Sequence, residues 1–508
     1  MRVPVLENNA EAALGLEAPS KEGSRDSEER ERDIVGWEGP DDPADPFNWP
    51  NGRKWLITCF GCFVTFIVGI QSTAMTAAVE PMNEYFKVSD ANFANSYWPI
   101  TAWTVSAGLV PLVGLPLMET FGVRPGYMLS YIIFFIFIIP QAVAQNYATL
   151  IVTRVFSGGF AGILENIIGG IISDIWKGER ARSIPVAMYI WAYEAGIMIG
   201  PAIGGVIIQH LHWRWIFYIQ LIIYGSFFPV AYLVIPETRS TVILQRKARQ
   251  IRAATGKPVY AQSELDHPGL KALIWEAVGR PVYMLCTEYV VFSFTLWSAF
   301  CFGNALLFTQ SVAQVYTELY DFTAPQTGYV QLALVIGVTI GFVMQLPANN
   351  WYYKSAARNT EEPGRYIPEA RLYLAIPGSF IGLAGGFFVY AWTSYGFVHW
   401  MGPTIGLGLV GIGIFIVVNA VSCYVEDAYE KYAASVLGAV AFGENMFAAF
   451  LPLAEMSMYT NLDFRWASTL LAFLALLLSL APVVLIFYGR TIRDRSPFIR
   501  EARHEHRD

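Results

Sequence analysis

Five ionisable residues stand inside apolar runs long enough to cross a bilayer. Arg154 and Glu165 share the stretch LIVTRVFSGGFAGILENIIGG, Glu194 sits in WAYEAGIMIGPAIGG, Glu288 in LCTEYVVF and Glu444 in AFGENMFAAF. A charge at mid-bilayer depth costs about 2.5 kcal/mol or more, so such a residue normally faces a cavity or a partner. The chemistry open to a carboxyl there is proton binding and release. No histidine lies at that depth, so any proton relay rests on the acids. Glu194 and Glu444 are central in their runs, whereas Glu288 is nearer the inner end, where an interfacial role competes. Glu194 also has a second reading, as a permanently neutral acid hydrogen-bonded to a neighbouring helix. Arg154 and Glu165 are three helical turns apart on one face, about 16 Å; Arg154 can instead snorkel to the headgroups.

Around these groups the runs are aromatic, with Trp103, Tyr193, Tyr289, Trp297 and Phe442 as candidates to line a cavity. An apolar, aromatic cavity with a few polar groups suits a hydrophobic or weakly cationic small molecule. The partners expected are therefore a small-molecule substrate, protons and the lipid bilayer. Nothing suggests nucleic acid, a cofactor or a metal, and a monomer is the expected state.

These residues need membrane helices to hold them. Of 508 residues 54% are hydrophobic and 15% charged, against roughly a quarter charged in soluble proteins. Twelve apolar runs of helix length occur, at about 55–78, 94–117, 127–144, 148–172, 184–208, 214–235, 281–308, 326–347, 372–394, 398–424, 432–456 and 466–488; each suffices to cross a ~30 Å core. The fold class expected is all-α, with two six-helix bundles and both termini cytoplasmic. Of 34 Lys and Arg, 30 fall in the tails and the loops after even-numbered spans, and only Lys87, Arg214 and Arg465 on the other side, as the positive-inside rule requires.

Five parts follow. Residues 1–54 form an acidic, disordered cytoplasmic tail, 55–235 the first bundle, 236–280 a basic cytoplasmic linker, 281–488 the second bundle and 489–508 a cytoplasmic tail. Within the linker, ILQRKARQIRAATGK reads as an amphipathic helix on the inner face. A division of six spans against six suits a two-bundle transporter with its ligand site near the midplane.

Two motifs read as packing. CFGC (Cys59 and Cys62) lies in mid-span without a second Cys or His pair, and GLGLVGIG (406–413) lies in a hydrophobic helix, not at the strand-to-helix turn a dinucleotide site needs. The absence of a Walker loop argues against ATP drive, and the absence of a nucleophile–base pair argues against an enzyme.

The motifs taken together resemble the major facilitator superfamily, and within it the fungal twelve-span drug:proton antiporters of the cycloheximide-resistance type. PLMETFGVRPGYM carries that family's loop between spans 2 and 3, through Glu119, Gly122 and Arg124, with Val123 replacing a usual basic residue. Arg154 and Gly158 match its Arg-x-x-x-Gly motif, and Asp174 opens its next cytoplasmic loop in ISDIWKGERARS. Gly196, Gly200, Pro201, Gly204 and Gly205 match its span 5 antiporter motif, with Ile197 where the first Pro is usual. The resemblance implies alternating access in the plasma membrane, or alternatively the vacuolar membrane. Protons would enter in exchange for an exported drug, fungicide or fungal metabolite; nutrient import by proton symport and polyamine export are the alternatives. On this reading the span 5 glycines form a seam where the two bundles meet.

Overall fold

A computed structural model of the chain describes residues 33–89, 93–265, 272, 275–359 and 364–504. Spans 1 to 6 are Asn51–Thr73, Phe93–Phe121, Val123–Ala142, Tyr147–Ile175, Glu179–His210 and Trp215–Val234. Span 1 continues through a 3-10 turn, Ala74–Ala78, into a short helix, Val79–Phe86. Spans 7, 8 and 10 are Tyr289–Tyr320, Ala324–Ser355 and Met401–Tyr429, and span 9 lies within Pro368–Thr393. The helical run Ala433–Leu478 is two spans, because Asp463 (φ 66°, ψ 152°) leaves helical geometry. Tyr459 comes within 3.1 Å of Ser468 there, nine residues that would span about 13.5 Å along a straight helix. The chain thus folds back, making 433–462 span 11 and 464–495 span 12.

Local signals set the ends. Asn146 caps span 4 by accepting from Thr149 N–H at 2.8 Å. A capping box between Thr323 and Gln326 starts span 8, satisfying amides that lack a helical partner. Large apolar side chains such as Leu233, Ile381, Leu477 and Phe487 stay exposed on the spans, as a surface solvated by lipid requires.

Two expectations are corrected. Span 7 begins at Tyr289, not near 281, because Glu288 is extended (φ −98°, ψ 113°) and separates it from a short helix, Arg280–Thr287. A hydropathy run cannot register a break made by one residue's backbone. The stretch 33–54, expected to belong to a disordered tail, is structured: strand β1, Asp33–Val35, pairs in parallel with β2, Val259–Ala261, in the linker, and span 1 already begins at Asn51. The rest of that tail, 1–32, lies outside the described residues.

The basic linker helix forms, as Ser240–Thr255. Val35, Ala248, Val259 and Ala261 make a small core beneath it. Its cations are paired within the chain: Lys247 with Glu38 at 2.8 Å, Arg252 with Glu264 at 2.7 Å, Arg249 with Glu264 at 3.3 Å and Arg246 with Glu237 at 3.5 Å. The amphipathic helix expected on the inner face is thereby bound to its own N-terminal segment and linker.

The hydrogen bond from Arg252 holds the Glu264 carboxyl down at about 2, from an ordinary value of 4.5. A depressed carboxyl stabilises fully above its unfolded value and loses that contribution as pH falls through the folded one. Docking of β1 should therefore loosen between about pH 4.5 and 2, seen as faster amide exchange at Val35 and Val259, and Glu264→Gln should show that exchange already at pH 7.

Candidate functional site

Three of the five ionisable residues converge between the halves. Glu165 (span 4) is buried, with the Tyr193 hydroxyl of span 5 and the Asn166 amide donating to it. Glu444 (span 11) accepts from the Ser298 hydroxyl of span 7. Glu194 (span 5) is buried and neither of its oxygens has a hydrogen-bond partner among the described residues. Glu444 lies within electrostatic reach of both Glu165 and Glu194. Tyr193 stacks on Phe302 of span 7, centroids 5.8 Å apart at 17°, and Ile197, Phe302, Leu306 and Ala448 close the same junction. Glu444, Tyr189 and Tyr193 are surrounded by protein yet keep accessible surface, so they border an internal space.

Arg154 takes no part in that cluster. Its guanidinium is fully buried and donates to the carbonyls of Ser72 (3.0 Å), Pro99 (3.2 Å) and Gln71 (3.4 Å), over the Trp103 ring at 4.4 Å. The last α-type bond of span 1 runs from Ala74 N–H to the Ile70 carbonyl, so the Gln71 and Ser72 carbonyls lie just past it and lack an α-helical donor. Arg154 thus bonds the break in span 1, and the snorkelling reading does not apply to a side chain so enclosed.

The span 5 motif packs mainly inside its own half. A Cβ on Gly196 would meet the Phe66 carbonyl at 2.3 Å, one on Gly200 the Thr73 hydroxyl at 2.1 Å, and one on Gly204 the Ala74 carbonyl at 2.1 Å; all three neighbours belong to span 1 or its 3-10 turn. The seam between bundles expected for all five residues narrows to one end. There Gly205 faces Ala324 and Pro325, and Gly328 lies against Pro201 and Ala202. Span 5 stays helical through Pro201. That proline has no N–H for the Ile197 carbonyl four residues back, and the Thr73 hydroxyl donates to that carbonyl at 2.7 Å.

At the cytoplasmic end Glu237 accepts from the first amides of span 3, Val123 at 3.0 Å and Arg124 at 3.3 Å. Gly122, at φ 111°, has no room for a Cβ, which would fall 2.5 Å from the Glu237 carboxylate. Arg239 bridges Glu119 and Asp174, the latter at 2.9 Å, and the Arg124 guanidinium donates to the Tyr232 carbonyl at 3.1 Å. The loop between spans 2 and 3 is thereby clamped to the ends of spans 4 and 6.

A profile of the Major Facilitator Superfamily matches residues 61–450. The chain belongs to the major facilitator superfamily. It is a multi-pass membrane transporter and not an enzyme. The transporter paaT of Penicillium rubens is 34% identical over 463 residues, covering 90% of this chain and 82% of that one. Efflux pump radE of Floropilus chiversii is 30% identical, covering 93% and 87%, and efflux pump atB of Aspergillus terreus 30%, covering 97% and 94%. The proton:xylose symporter XylE superposes with a TM-score of 0.62 at 14% identity, over 87% of this chain and 96% of that one. The human organic anion transporter MFSD10 gives 0.56 at 16%, over 85% and 100%. Both structures show the fold alone.

The remaining expected residues of this facilitator lie elsewhere. Glu288 is buried at the start of span 7, accepting from Tyr429 at the end of span 10 at 3.2 Å, apart from the central cluster. Tyr289, the next residue, points outward with 55% of its surface exposed and does not line a cavity. Trp297 is enclosed in the second bundle against Phe294, and Trp103 in the first beneath Arg154. Phe442 is half-buried, two residues before Glu444. Ser298, Phe302, Tyr189 and Thr73 escaped sequence reading because lone hydroxyls and aromatics are ordinary in such helices.

A cytoplasmic latch between the halves also escaped it. The Tyr352 hydroxyl (span 8) donates to Glu179 (span 5), Arg182 pairs with Glu426 of span 10 at 3.4 Å, and Arg371 lies 3.5 Å over the Tyr352 ring. Tyr352→Phe combined with Arg182→Gln removes both cross-bundle bonds and keeps the ring. A loss of about 1.4 kcal/mol shifts the opening equilibrium about tenfold. Spin labels at Ala181 and Lys431 should report a larger open fraction; an unchanged distance distribution would remove the latch.

Proposed function

We propose that this transporter exports a hydrophobic or weakly cationic small organic molecule across the plasma membrane in exchange for protons. The observation that carries the reading is the meeting of Glu165, Glu194 and Glu444, contributed by both halves, beside an internal space. The naming of radE and atB as efflux pumps supports the outward direction. In this mechanism the acids load protons when open to the outside. The halves then rock about the spans 5 and 8 contact, and the acids discharge inside as substrate enters. One unit of ΔpH supplies about 1.4 kcal/mol per proton and 100 mV about 2.3 kcal/mol per charge, enough for a gradient of a hundredfold or more. Arg154, without a carboxylate partner among the described residues, serves as a positioning residue.

The test is substrate movement in proteoliposomes under an imposed ΔpH. Export should rise with the inward proton gradient, and Glu194→Gln should fold normally but lose the dependence on ΔpH. Uptake that follows the proton gradient would reverse the direction and make the protein a symporter. Wild-type coupling in Glu194→Gln would remove Glu194 and leave Glu165 or Glu444 as the carrier.

A further inference from the structure

A cavity of about 430 Å³ lies at the cytoplasmic end of the second bundle, among the segment after span 8 and the ends of spans 10 and 12. Four guanidiniums line it, those of Arg358, Arg365, Arg490 and Arg493, beside four carboxylates. Each of those carboxylates already has a donor within the chain. Glu369 is paired with Arg493, Asp427 with Arg371 at 2.8 Å and Glu430 with Arg365 at 3.6 Å, and Glu179 accepts from the Tyr352 hydroxyl. Arg358 and Arg490 are exposed, and Arg358 pairs with no carboxylate among the described residues. The same walls include Tyr373, Ile486 and Phe487. Phe487, on the outer surface of span 12, is 77% exposed and lies about one helical turn from Arg490. Lipid-facing surface and cations therefore adjoin.

We propose that this cavity binds the phosphorylated inositol headgroup of a lipid from the cytoplasmic leaflet, and that the bound headgroup holds the cytoplasmic latch closed. The guanidinium fork matches phosphate oxygens, and basic pockets between membrane helices on this side suit such headgroups. A carboxylate offers about four acceptor sites, more than one bond occupies, so ring hydroxyls can donate there as well. An ammonium headgroup would instead find those acids already answered by the chain. A bare phosphate would leave most of the space unfilled, since the volume falls within the roughly 300–1,000 Å³ of small-molecule sites. Ile486 and Phe487 give acyl chains a surface that a soluble inositol phosphate would not use.

The link to the latch is geometric. Glu179 belongs to the first bundle, Tyr352 and Asp427 to the second, and all three line the cavity. Its wall is complete only while Tyr352 stays bonded to Glu179. An occupant therefore favours the closed latch by the difference in its affinity for the two states. The site needs neither the central acids nor a particular direction of transport.

Native mass spectrometry of the full chain, with dioleoyl lipids in competition, ranks the headgroups. Phosphatidylinositol 4-phosphate should bind at least about tenfold better than phosphatidylinositol or phosphatidylethanolamine, the scale of one hydrogen bond to a charged group. Arg358→Gln with Arg490→Gln should remove that preference. Arg500→Gln, at an exposed cation that does not line the cavity, should keep it. The latch is read in phosphatidylcholine nanodiscs by spin labels at Ala181 and Lys431, in Arg182→Gln, which retains the Tyr352–Glu179 bond. Adding phosphatidylinositol 4-phosphate should lower the open fraction, and soluble inositol 1,4-bisphosphate should not. Equal binding of phosphatidylinositol or phosphatidylethanolamine overturns the headgroup assignment, and that ranking needs no variant to fold. An equal loss in Arg500→Gln means diffuse attraction to a basic surface and overturns the cavity. Closure by the soluble bisphosphate overturns the lipid as its source, and an unchanged open fraction overturns the hold on the latch.

Discussion

Gly204→Val is expected to remove most of the folded protein. The new Cβ would lie 2.1 Å from the Ala74 carbonyl oxygen and 3.0 Å from its carbon, and backbone cannot swing aside as a side-chain end can. Overpacking usually costs about 1–3 kcal/mol and sometimes more; with both contacts on main chain the upper part of that range applies. Pushing span 5 from span 1 also separates Thr73 from the Ile197 carbonyl, left without a helical donor by Pro201, and an unmet buried acceptor costs about 1–3 kcal/mol. Gly170 in span 4 is the control, since a Cβ there meets nothing within 4 Å. Gly170→Ala should be neutral or gain about 0.5–1 kcal/mol of helix stability. Fluorescence-detected size exclusion and melting of the detergent-solubilised variants compare the two. Equal yields and midpoints would mean that the span 1–span 5 contact is not structurally required.

The same glycines show how far the sequence reaches. Spacing of four puts Gly196, Gly200 and Gly204 on one helical face, which announces close packing without naming the partner; span 1 of the same half fills most of it. Depth is also legible by counting, so buried acids were recoverable from their place in apolar runs. Their grouping was not, because Glu165 and Glu444 are brought together only by how spans 4 and 11 are rotated. A step of one residue turns a helix by about 100°. Glu288 at the helix start is buried while Tyr289 beside it faces outward. Composition misled at residues 33–48, where few apolar residues suggested disorder. Strand pairing with Val259–Ala261 and the Lys247 contacts order a segment with almost no core of its own.

Replacing Arg154 should have the largest effect on transport. Its three bonds tie spans 1 and 2 to span 4 at the point where span 1 gives up its α pattern. Arg154→Ala leaves buried carbonyls at Gln71 and Ser72 without donors, at about 1–3 kcal/mol each, and transport should fall by at least about a hundredfold, roughly 2.7 kcal/mol at 1.36 per decade. Arg154→Lys keeps the charge but not the planar fork that reaches carbonyls on two helices, so it should still lose about tenfold. The reason lies one contact further on. The residue after Ser72 is Thr73, whose hydroxyl holds the Ile197 carbonyl of span 5, three residues beyond Glu194. If Arg154 acts by setting that break, Arg154→Lys and Thr73→Val must be coupled. A double-mutant cycle on transport should then show an interaction of about 0.5 kcal/mol or more. Strict additivity would separate Arg154 from span 5 and leave its contribution confined to the packing of spans 1, 2 and 4.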